Sequence, residues 1–181
     1  MKEKMSDRGF KLMRFIMKAV DHFHPHVPQK AESFGIESGM TVVDYGCGPG
    51  RYTIEFAGLV GESGSVLAVD LVELALEETK RKTQQSGCNN VATYLAKGYD
   101  SGVPDKIADI VFAIDMFHYV QDTSVFLAEL WRIAKDDGKL IISGGHQSRA
   151  TIKRNLGKSD LWEICRENSS FIGCRKADQT S

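Results

Sequence analysis

A short glycine-rich segment after an apolar run is the part of this sequence best suited to ligand chemistry. Residues 42–50 read Val-Val-Asp-Tyr-Gly-Cys-Gly-Pro-Gly, so that an acid, Asp44, stands two residues before a loop with glycine at every second position. Glycine lets the backbone approach a ligand where a Cβ would collide, and it adopts positive φ angles in tight turns. An acid before such a loop suits a nucleoside ligand held at the end of a strand. The segment therefore indicates a cofactor-binding α/β domain.

A second acid supports this interpretation. Asp70 ends the apolar run Ser-Val-Leu-Ala-Val-Asp and lies twenty residues after Gly50. A dinucleotide site also places an acid about 20 residues beyond its glycines, but its spacing is G-x-G-x-x-G. Here position 51 is arginine, so the third glycine comes one residue early. A dinucleotide site and a plain structural turn are the alternatives to a site for another nucleoside cofactor.

Histidines are the other side chains that could do chemistry. His118 either packs at the ligand pocket or contacts a substrate, and His146 follows a predicted strand, where a loop histidine could remove a proton. His22, His24 and His26 alternate in a way that can bind nickel or zinc weakly. We interpret that tract as an exposed loop and predict no metal site.

The elements that must position these residues alternate along the chain. Strands with apolar residues on both faces, separated by helices, indicate a parallel sheet covered on both sides. The predicted strands are Thr41–Asp44, Ser65–Asp70, Val91–Ala96, Ala108–Ile114 and Lys139–Ser143, and the intervening helices are Arg51–Val60, Glu73–Ser86 and Thr123–Ala134, the last capped by Asp122. Ligands bind beyond the carboxyl ends of such strands. The acids that cluster at those ends are Asp44, Asp70, Asp100 and Asp115.

Both ends of the chain depart from this alternation. Helical spacing predicts a helix over Phe10–Val20, and Pro28 suits the first residue of a short helix that runs to Phe34. Residues 146–156 form a helical or loop stretch. The apolar runs Leu161–Arg166 and Phe171–Arg175 flank a polar turn and predict a β-hairpin. We divide the chain into an N-terminal helical segment, residues 1–34, on the substrate side as a lid, and a ligand-binding part, residues 35–181.

Composition excludes several classes of protein. The 181 residues fit one domain, and a net charge of −1 argues against a nucleic-acid partner. The sequence has no apolar run near the roughly 20 residues of a membrane span and no signal-peptide core, so a cytoplasmic location is expected. The four cysteines form no C-x-x-C pair, and reduced thiols are expected, with Cys165 and Cys174 as small buried side chains.

The segment D-Y-G-C-G-P-G, the acid that closes the second strand and the terminal hairpin resemble the class I S-adenosylmethionine-dependent methyltransferases. The small-molecule branch, near the methyltransferases of ubiquinone and menaquinone synthesis, is most similar, and the resemblance covers about Gly35–Lys176. It implies a three-layer, Rossmann-like, seven-stranded, mostly parallel sheet with a C-terminal antiparallel hairpin. It also implies S-adenosylmethionine as cofactor and methyl transfer to a small-molecule acceptor, and it allows a homodimer.

The resemblance also implies roles for individual residues. The glycine loop would lie under the methionine part and ribose of the cofactor, and Asp70 would accept hydrogen bonds from both ribose hydroxyls. In the family, an acid after the third strand often contacts the adenine amino group. Here that role would fall to Tyr99 or Asp100. The complete set of implied cofactor contacts is Asp44, Tyr45, Gly46, Cys47, Gly48, Gly50, Asp70, Leu71, Gly98, Tyr99, Asp100, Asp115 and Met116. The candidate catalytic residues are His118 and His146.

Two features favour a small acceptor over a macromolecule. The fourth strand ends in I-D-M-F-H-Y, which differs from the N/D-P-P-Y/F of many methyltransferases that act on nucleic-acid amino groups, and the chain has no basic surplus. The alternative from a different class is a non-catalytic cofactor-binding protein, a sensor or a partner subunit, which would lack a pocket for an acceptor. An NAD(P)-binding oxidoreductase is the remaining alternative.

Overall fold

The computed structural model describes residues 27–178, which fold around one seven-stranded sheet in the order β3-β2-β1-β4-β5-β7-β6. The strands are β1 Thr41–Tyr45, β2 Ser65–Asp70, β3 Val91–Leu95, β4 Ala108–Ala113, β5 Ala134–Ile142, β6 Trp162–Glu167 and β7 Ile172–Lys176. Strands β1 to β5 run parallel, and β7 runs antiparallel to both β5 and β6. The predicted fold class, including the C-terminal hairpin, is confirmed.

Helices cover both faces of the sheet. They are α1 Val27–Glu32, α2 Arg51–Val60, α3 Glu73–Gln85, α4 Thr123–Ile133 and α5 Arg149–Leu156, with a 3₁₀ turn at Phe117–Tyr119. The predicted cap of α4 is confirmed, because Asp122 Oδ1 accepts a hydrogen bond from Val125 N at 3.1 Å. The predicted helix Phe10–Val20 and the tract His22–His26 lie outside the described residues.

The two faces of the sheet bury separate apolar clusters. On one face, α1 with Phe34 directly after it, and α2 with Phe56, pack against β1 and β4. On the other face, α4 and α5 pack through Phe126 and Ile152 against the same sheet. Consecutive residues of β1, such as Val42 and Val43, contribute to opposite clusters, because side chains alternate along a strand. This arrangement leaves the carboxyl edge of the sheet for a site.

Two local predictions need correction. Strand β5 begins at Ala134, five residues before the predicted start, because Ala134 pairs with Ala108 and the ladder then skips to the pair Lys139 and Ile110. Cys165 is exposed, contrary to the prediction of a buried side chain, because it lies on edge strand β6, where the register with β7 shifts. Cys174 is buried as predicted. Across residues 27–178, every helix is too short or too polar to span a bilayer.

Candidate active site

The glycine loop connects β1 to α2 and is fixed to β2 by its backbone. Gly46 N and Cys47 N both donate to Val69 O, at 2.8 and 3.0 Å. The φ angles of Gly46 and Gly48 are 80° and 54°, which favour glycine. A Cβ on Gly46 would lie 2.7 Å from Met116 Cγ, whereas a Cβ on Gly48 would meet nothing within 4 Å. Gly46 is therefore required by packing, and the backbone at Gly48 borders open space.

Helix α3 holds the far end of the loop. Thr79 Oγ1 donates to Gly48 O at 3.0 Å, and a Cβ on Gly50 would lie 2.9 Å from the same hydroxyl. Cys47 Sγ lies 3.9 Å from it in a buried position, where burial keeps the pKa of the thiol well above its usual value. The thiol is thus neutral and packs beneath the loop, and a neutral buried thiol is a poor nucleophile.

Asp70 is positioned by backbone amides at the end of β2. Gly48 N donates to Asp70 Oδ2 at 2.8 Å, and Val72 N donates to Asp70 Oδ1 at 2.9 Å. Burial raises the pKa of Asp70 above its ordinary value, and the two amides oppose that shift. Each carboxylate oxygen can accept more than one hydrogen bond, so both oxygens keep capacity for a ligand hydroxyl.

Asp44 lies deeper than the other acids of the site, with 3% of its surface exposed. Thr53 Oγ1, from the first turn of α2, donates to Asp44 Oδ2 at 2.6 Å. Burial raises the pKa of Asp44 to about 7, and the negative charge of Asp70 adds to this effect while the Thr53 hydroxyl opposes it. Ionisation of this carboxyl therefore responds to any nearby positive charge.

The loop after β3 is connected to the core through two tyrosines. The hydroxyl of Tyr45, which is buried, donates to Tyr99 O at 2.9 Å, and the Tyr99 hydroxyl accepts from Asp122 N at 2.8 Å. Asp100 is exposed, and its Oδ1 accepts from Gly102 N at 2.9 Å. The two candidates for the adenine contact thus differ, because Tyr99 packs towards α4 while the Asp100 carboxylate closes a turn.

A charged network that the sequence analysis missed supports this loop from α4. Glu129 Oε1 accepts from both the amide and the hydroxyl of Ser101, and Arg132 binds Glu129 through two nitrogen atoms. Arg132 also pairs with Asp105 and donates to Val103 O at 2.9 Å. The i, i+3 spacing of Glu129 and Arg132 was the only sign of this network in the sequence. That spacing predicts the ion pair between them but not their contacts with Ser101, Val103 and Asp105.

Asp115 marks the end of the site beyond β4. Its φ of 56° is unusual for a residue with a Cβ. A reciprocal pair holds it, since Asp115 N donates to Ser143 Oγ at 3.1 Å and Ser143 Oγ donates to Asp115 Oδ1 at 2.8 Å. Lys30 Nζ, from α1, lies 4.0 Å from the same Oδ1. Strained backbone that neighbours hold in place is typical of functional sites.

The two candidate catalytic histidines lie together. The rings of His118 and His146 are 5.5 Å apart between centroids and nearly perpendicular, and His118 also packs on Tyr119 at 4.0 Å. His146 is exposed and His118 is half-buried. A Cβ on Gly145 would lie 3.3 Å from His118 Nδ1, so this ring packs on the loop after β5.

A cavity of about 440 Å³ opens beside Asp115. Its lining comes from α1, the end of β5 with the following loop, α5 and the hairpin turn: Lys30, Asp115, Ile142, Ser143, Gly144, Gly145, Gln147, Arg149, Ile152, Ser169, Ser170, Phe171 and Ile172. The glycine loop and Asp70 do not line it, so it is distinct from the nucleoside side of the site. Lys30, Ser143 and Arg149 were missed from the sequence, since no local motif marks them.

The loop geometry fits the nucleoside cofactor implied by the sequence. Open space at Gly48, backbone amides that fix the Asp70 carboxylate, and buried Asp44 form a cradle that a Cβ at position 48 would enter. Within residues 27–178, no group of three or more His, Cys, Asp or Glu side chains could hold a metal ion.

Comparisons with known proteins agree with this geometry. Residues 36–174 match a family model described as a methyltransferase domain. A ubiquinone/menaquinone biosynthesis C-methyltransferase from Shewanella piezotolerans is 30% identical over 126 residues, which cover 69% of this chain and 50% of that protein. A demethylmenaquinone methyltransferase from Anoxybacillus flavithermus is 28% identical over 142 residues, covering 77% and 58%. The chain spans about half the length of the curated relatives that it matches.

Solved structures with the same fold include two of similar size. An S-adenosylmethionine-dependent methyltransferase from Aquifex aeolicus superposes with a TM-score of 0.73 at 27% identity, covering 82% of this chain and 88% of that one. A protein described as a putative methyltransferase of the same kind, from Methanococcus maripaludis, gives a TM-score of 0.81 at 24% identity and covers 99% and 97%. The second likeness shows the fold alone. The family match over residues 36–174 and the sheet order show that this chain belongs to the methyltransferase-domain family and has the fold of the class I S-adenosylmethionine-dependent methyltransferases.

Proposed function

We propose that this chain transfers a methyl group from S-adenosylmethionine to a small-molecule acceptor. The observation that carries the proposal is the position of Asp115, which lines a separate cavity and directly precedes Met116, the side chain that packs on Gly46 of the glycine loop. Bound S-adenosylmethionine supplies an electrophilic methyl group at a positively charged sulfur. A protein that holds the methyl donor and the acceptor in line lowers the activation free energy by several kcal/mol through proximity alone, and by roughly 7–11 kcal/mol in the best cases.

On the cofactor side, Asp70 would accept from the two ribose hydroxyls through the capacity left on its oxygens. Gly48 would let the backbone lie against the ligand, and Leu71 would contact the adenine face. Asp44 and Asp115 would provide negative charge near the sulfonium end. The remaining members of this proposed contact set are Tyr45, Gly46, Cys47, Gly50, Gly98, Tyr99, Asp100 and Met116.

On the acceptor side, the cavity beside Asp115 has the size of a small-molecule site, for which about 300–1,000 Å³ is typical. A non-catalytic cofactor-binding protein would not need such a cavity. Lys30 lines it from α1, which supports the assignment of residues 1–34 to the substrate side. His146 and His118 are the proposed groups for moving a proton if the acceptor atom must lose one.

The two curated relatives described above are named for methyl transfer in ubiquinone or menaquinone synthesis, which agrees with a small organic acceptor. The proposal includes a cytoplasmic enzyme without a nucleic-acid partner, in keeping with the net charge of −1. It allows a homodimer, which sedimentation of the purified protein measures directly.

Calorimetry with S-adenosylhomocysteine tests the cofactor side, and transfer of radiolabelled methyl groups to a panel of small molecules tests the reaction. We expect micromolar binding of S-adenosylhomocysteine and labelled product from at least one acceptor. Folded protein that binds neither the cofactor nor its product at millimolar concentration would contradict the proposal. Asp137→Ala, at an exposed position, is the control for non-specific effects of charge removal.

A further inference from the structure

The cavity beside Asp115 is bounded by helices from opposite faces of the sheet. Helix α1 packs into the apolar cluster that contains Phe34 and Phe56. Helix α5 contributes Ile152 to the cluster on the other face, which also contains Phe126. Lys30 of α1 and Arg149 of α5 therefore reach the cavity from opposite sides. Two cationic residues from opposite faces of the sheet thus line the cavity at the carboxyl end of β5.

The floor between these cations is apolar and well packed. Ile142, Ile152, Phe171 and Ile172 line the cavity and are each less than 4% exposed. Ser169 and Ser170, in the hairpin turn, also line it. An apolar floor with polar groups at its ends is typical of a site for a small organic molecule.

The charges of the cavity do not balance. Among the described residues that line it, Asp115 is the only acid against Lys30 and Arg149. Asp115 Oδ1 already accepts from Ser143, and its separation of 4.0 Å from Lys30 Nζ exceeds hydrogen-bond distance. Burial lowers the pKa of Lys30, and the positive charge of Arg51 adds to this effect while Asp115 opposes it. An anion in the cavity would compensate this charge.

Arg149 can exchange its present partner at little cost. Its guanidinium is 3.2 Å from Glu167 Oε1, and the same carboxylate has a shorter contact, 2.6 Å, with Lys153 Nζ. Glu167 therefore keeps a cation if Arg149 turns to another anion. A guanidinium binds a carboxylate through two parallel N–H groups, which a lysine cannot match.

We propose, as an inference that rests on the proposed function, that this cavity is the acceptor site and that it selects small acceptors carrying a carboxylate. Arg149 holds the carboxylate at the rim, Lys30 adds positive charge across the cavity, and the apolar floor contacts the body of the molecule. The reacting atom then lies at the Asp115 end, next to Met116 and Gly46 on the cofactor side.

Matched carboxylate and amide pairs test this selectivity in protein saturated with S-adenosylhomocysteine. Indole-3-acetate is compared with indole-3-acetamide, and 3-phenylpropanoate with 3-phenylpropanamide, by titration followed in amide NMR spectra. We expect the carboxylates to bind about tenfold more tightly and to shift the amide signals of Ser143, Gly144 and Gly145. Equal binding within each pair, absence of binding, or shifts confined to residues outside the cavity would overturn the proposal.

Three single variants locate the carboxylate. Arg149→Gln should weaken carboxylate binding about tenfold, and Glu167→Gln should strengthen it about twofold, because it removes the competing anion. Arg154→Gln removes the same charge from the same helix at an exposed position that does not line the cavity, and it should change nothing. A weakening by Arg154→Gln equal to that of Arg149→Gln would show a general surface effect and contradict the site.

The affinity for S-adenosylhomocysteine, measured for every variant, separates this inference from the one on which it rests. Wild-type protein that does not bind S-adenosylhomocysteine would overturn the proposed function. Normal S-adenosylhomocysteine binding without a preference for carboxylates would overturn only the acceptor class.

Discussion

On the β1–β2 side of the site, the groups that face the ligand space are the backbone of one loop and a carboxylate that the same loop holds. On the β4–β5 side, they come from α1, the ends of β4 and β5, α5 and the hairpin turn. These groups are spread along the sequence from residue 30 to residue 172. A backbone-defined side cannot change its ligand without changing its fold. A side built from separated side chains can change specificity by single substitutions, so the two sides are suited to a constant cofactor and a variable acceptor.

The largest expected effect tests the cofactor side at its carboxylate. Asp70→Ala should weaken binding of S-adenosylhomocysteine at least about a hundredfold, because hydrogen bonds to a charged group contribute roughly 1.5–3 kcal/mol each. Isothermal titration calorimetry measures the loss, and circular dichroism establishes that the variant is folded. Asp137→Ala is the matched control. Unchanged affinity in folded Asp70→Ala protein would show that the cofactor side does not depend on this carboxylate.

A pair of glycine variants separates ligand space from packing space within the same loop. Gly48→Ala adds a Cβ that no protein atom meets within 4 Å, so we expect about tenfold to a hundredfold weaker S-adenosylhomocysteine binding at a stability cost of about 1–2 kcal/mol for the positive φ. Gly46→Ala places its Cβ 2.7 Å from Met116 Cγ, so we expect a further loss of stability of roughly 1–3 kcal/mol.

Thermal unfolding and calorimetry on both variants provide the comparison. The double variant Gly46→Ala with Met116→Ala should recover part of the lost stability, because the colliding side chain is removed. If Gly48→Ala binds S-adenosylhomocysteine as tightly as wild type does, the open space beside Gly48 is not ligand space.

The difference between the two sides also explains which parts of the site could be predicted from the sequence. The cofactor side is encoded by spacing within residues 44–70, and the same local spacing predicts the strands and helices that carry it. Lys30, Ser143 and Arg149 are all far from Asp115 in the sequence. Only the packing of α1 and α5 around the ends of β4 and β5 brings them close to it. Local patterns report contacts between sequence neighbours, and the acceptor cavity has few of those.

The start of β5 and the exposure of Cys165 were wrong for a related reason. Both depend on register, since Lys139 resumes the pairing of β5 after an irregularity and Cys165 falls where β6 shifts against β7. Periodicity assigns a face to each residue only while the register is regular. The hairpin itself was predictable because its polar turn and flanking apolar runs are adjacent in the sequence.

A smaller effect tests the acceptor side at Asp115. Ser143→Ala removes both hydrogen bonds that hold Asp115 at its φ of 56°, so the turnover number should fall about tenfold, which corresponds to about 1.4 kcal/mol. Affinity for S-adenosylhomocysteine should change less than about threefold, which corresponds to roughly 0.6 kcal/mol. Ser38→Ala, at an exposed position, is the control. An equal effect on cofactor affinity and turnover would mean that the two sides are not separable.

The remaining comparison concerns the ionisation of Asp44, whose pKa burial raises to about 7. Between pH of about 4 and 7 the folded protein keeps a proton that the unfolded chain releases, so the free energy of unfolding should fall as pH rises through this window, by an amount on the order of a few kcal/mol. Asp44→Asn keeps an acceptor for Thr53 and should lose this pH dependence. Chemical denaturation of both proteins at several pH values measures it.

The same carboxyl connects charge to ligand binding. S-adenosylmethionine carries a sulfonium charge that S-adenosylhomocysteine lacks, so ionised Asp44 should favour the former, and the ratio of the two affinities should rise a few-fold as pH passes through about 7. Asp44→Asn should give a flat ratio, because no charge develops at that position. A ratio that rises equally in both proteins would show that Asp44 is not the source of the discrimination between the two ligands.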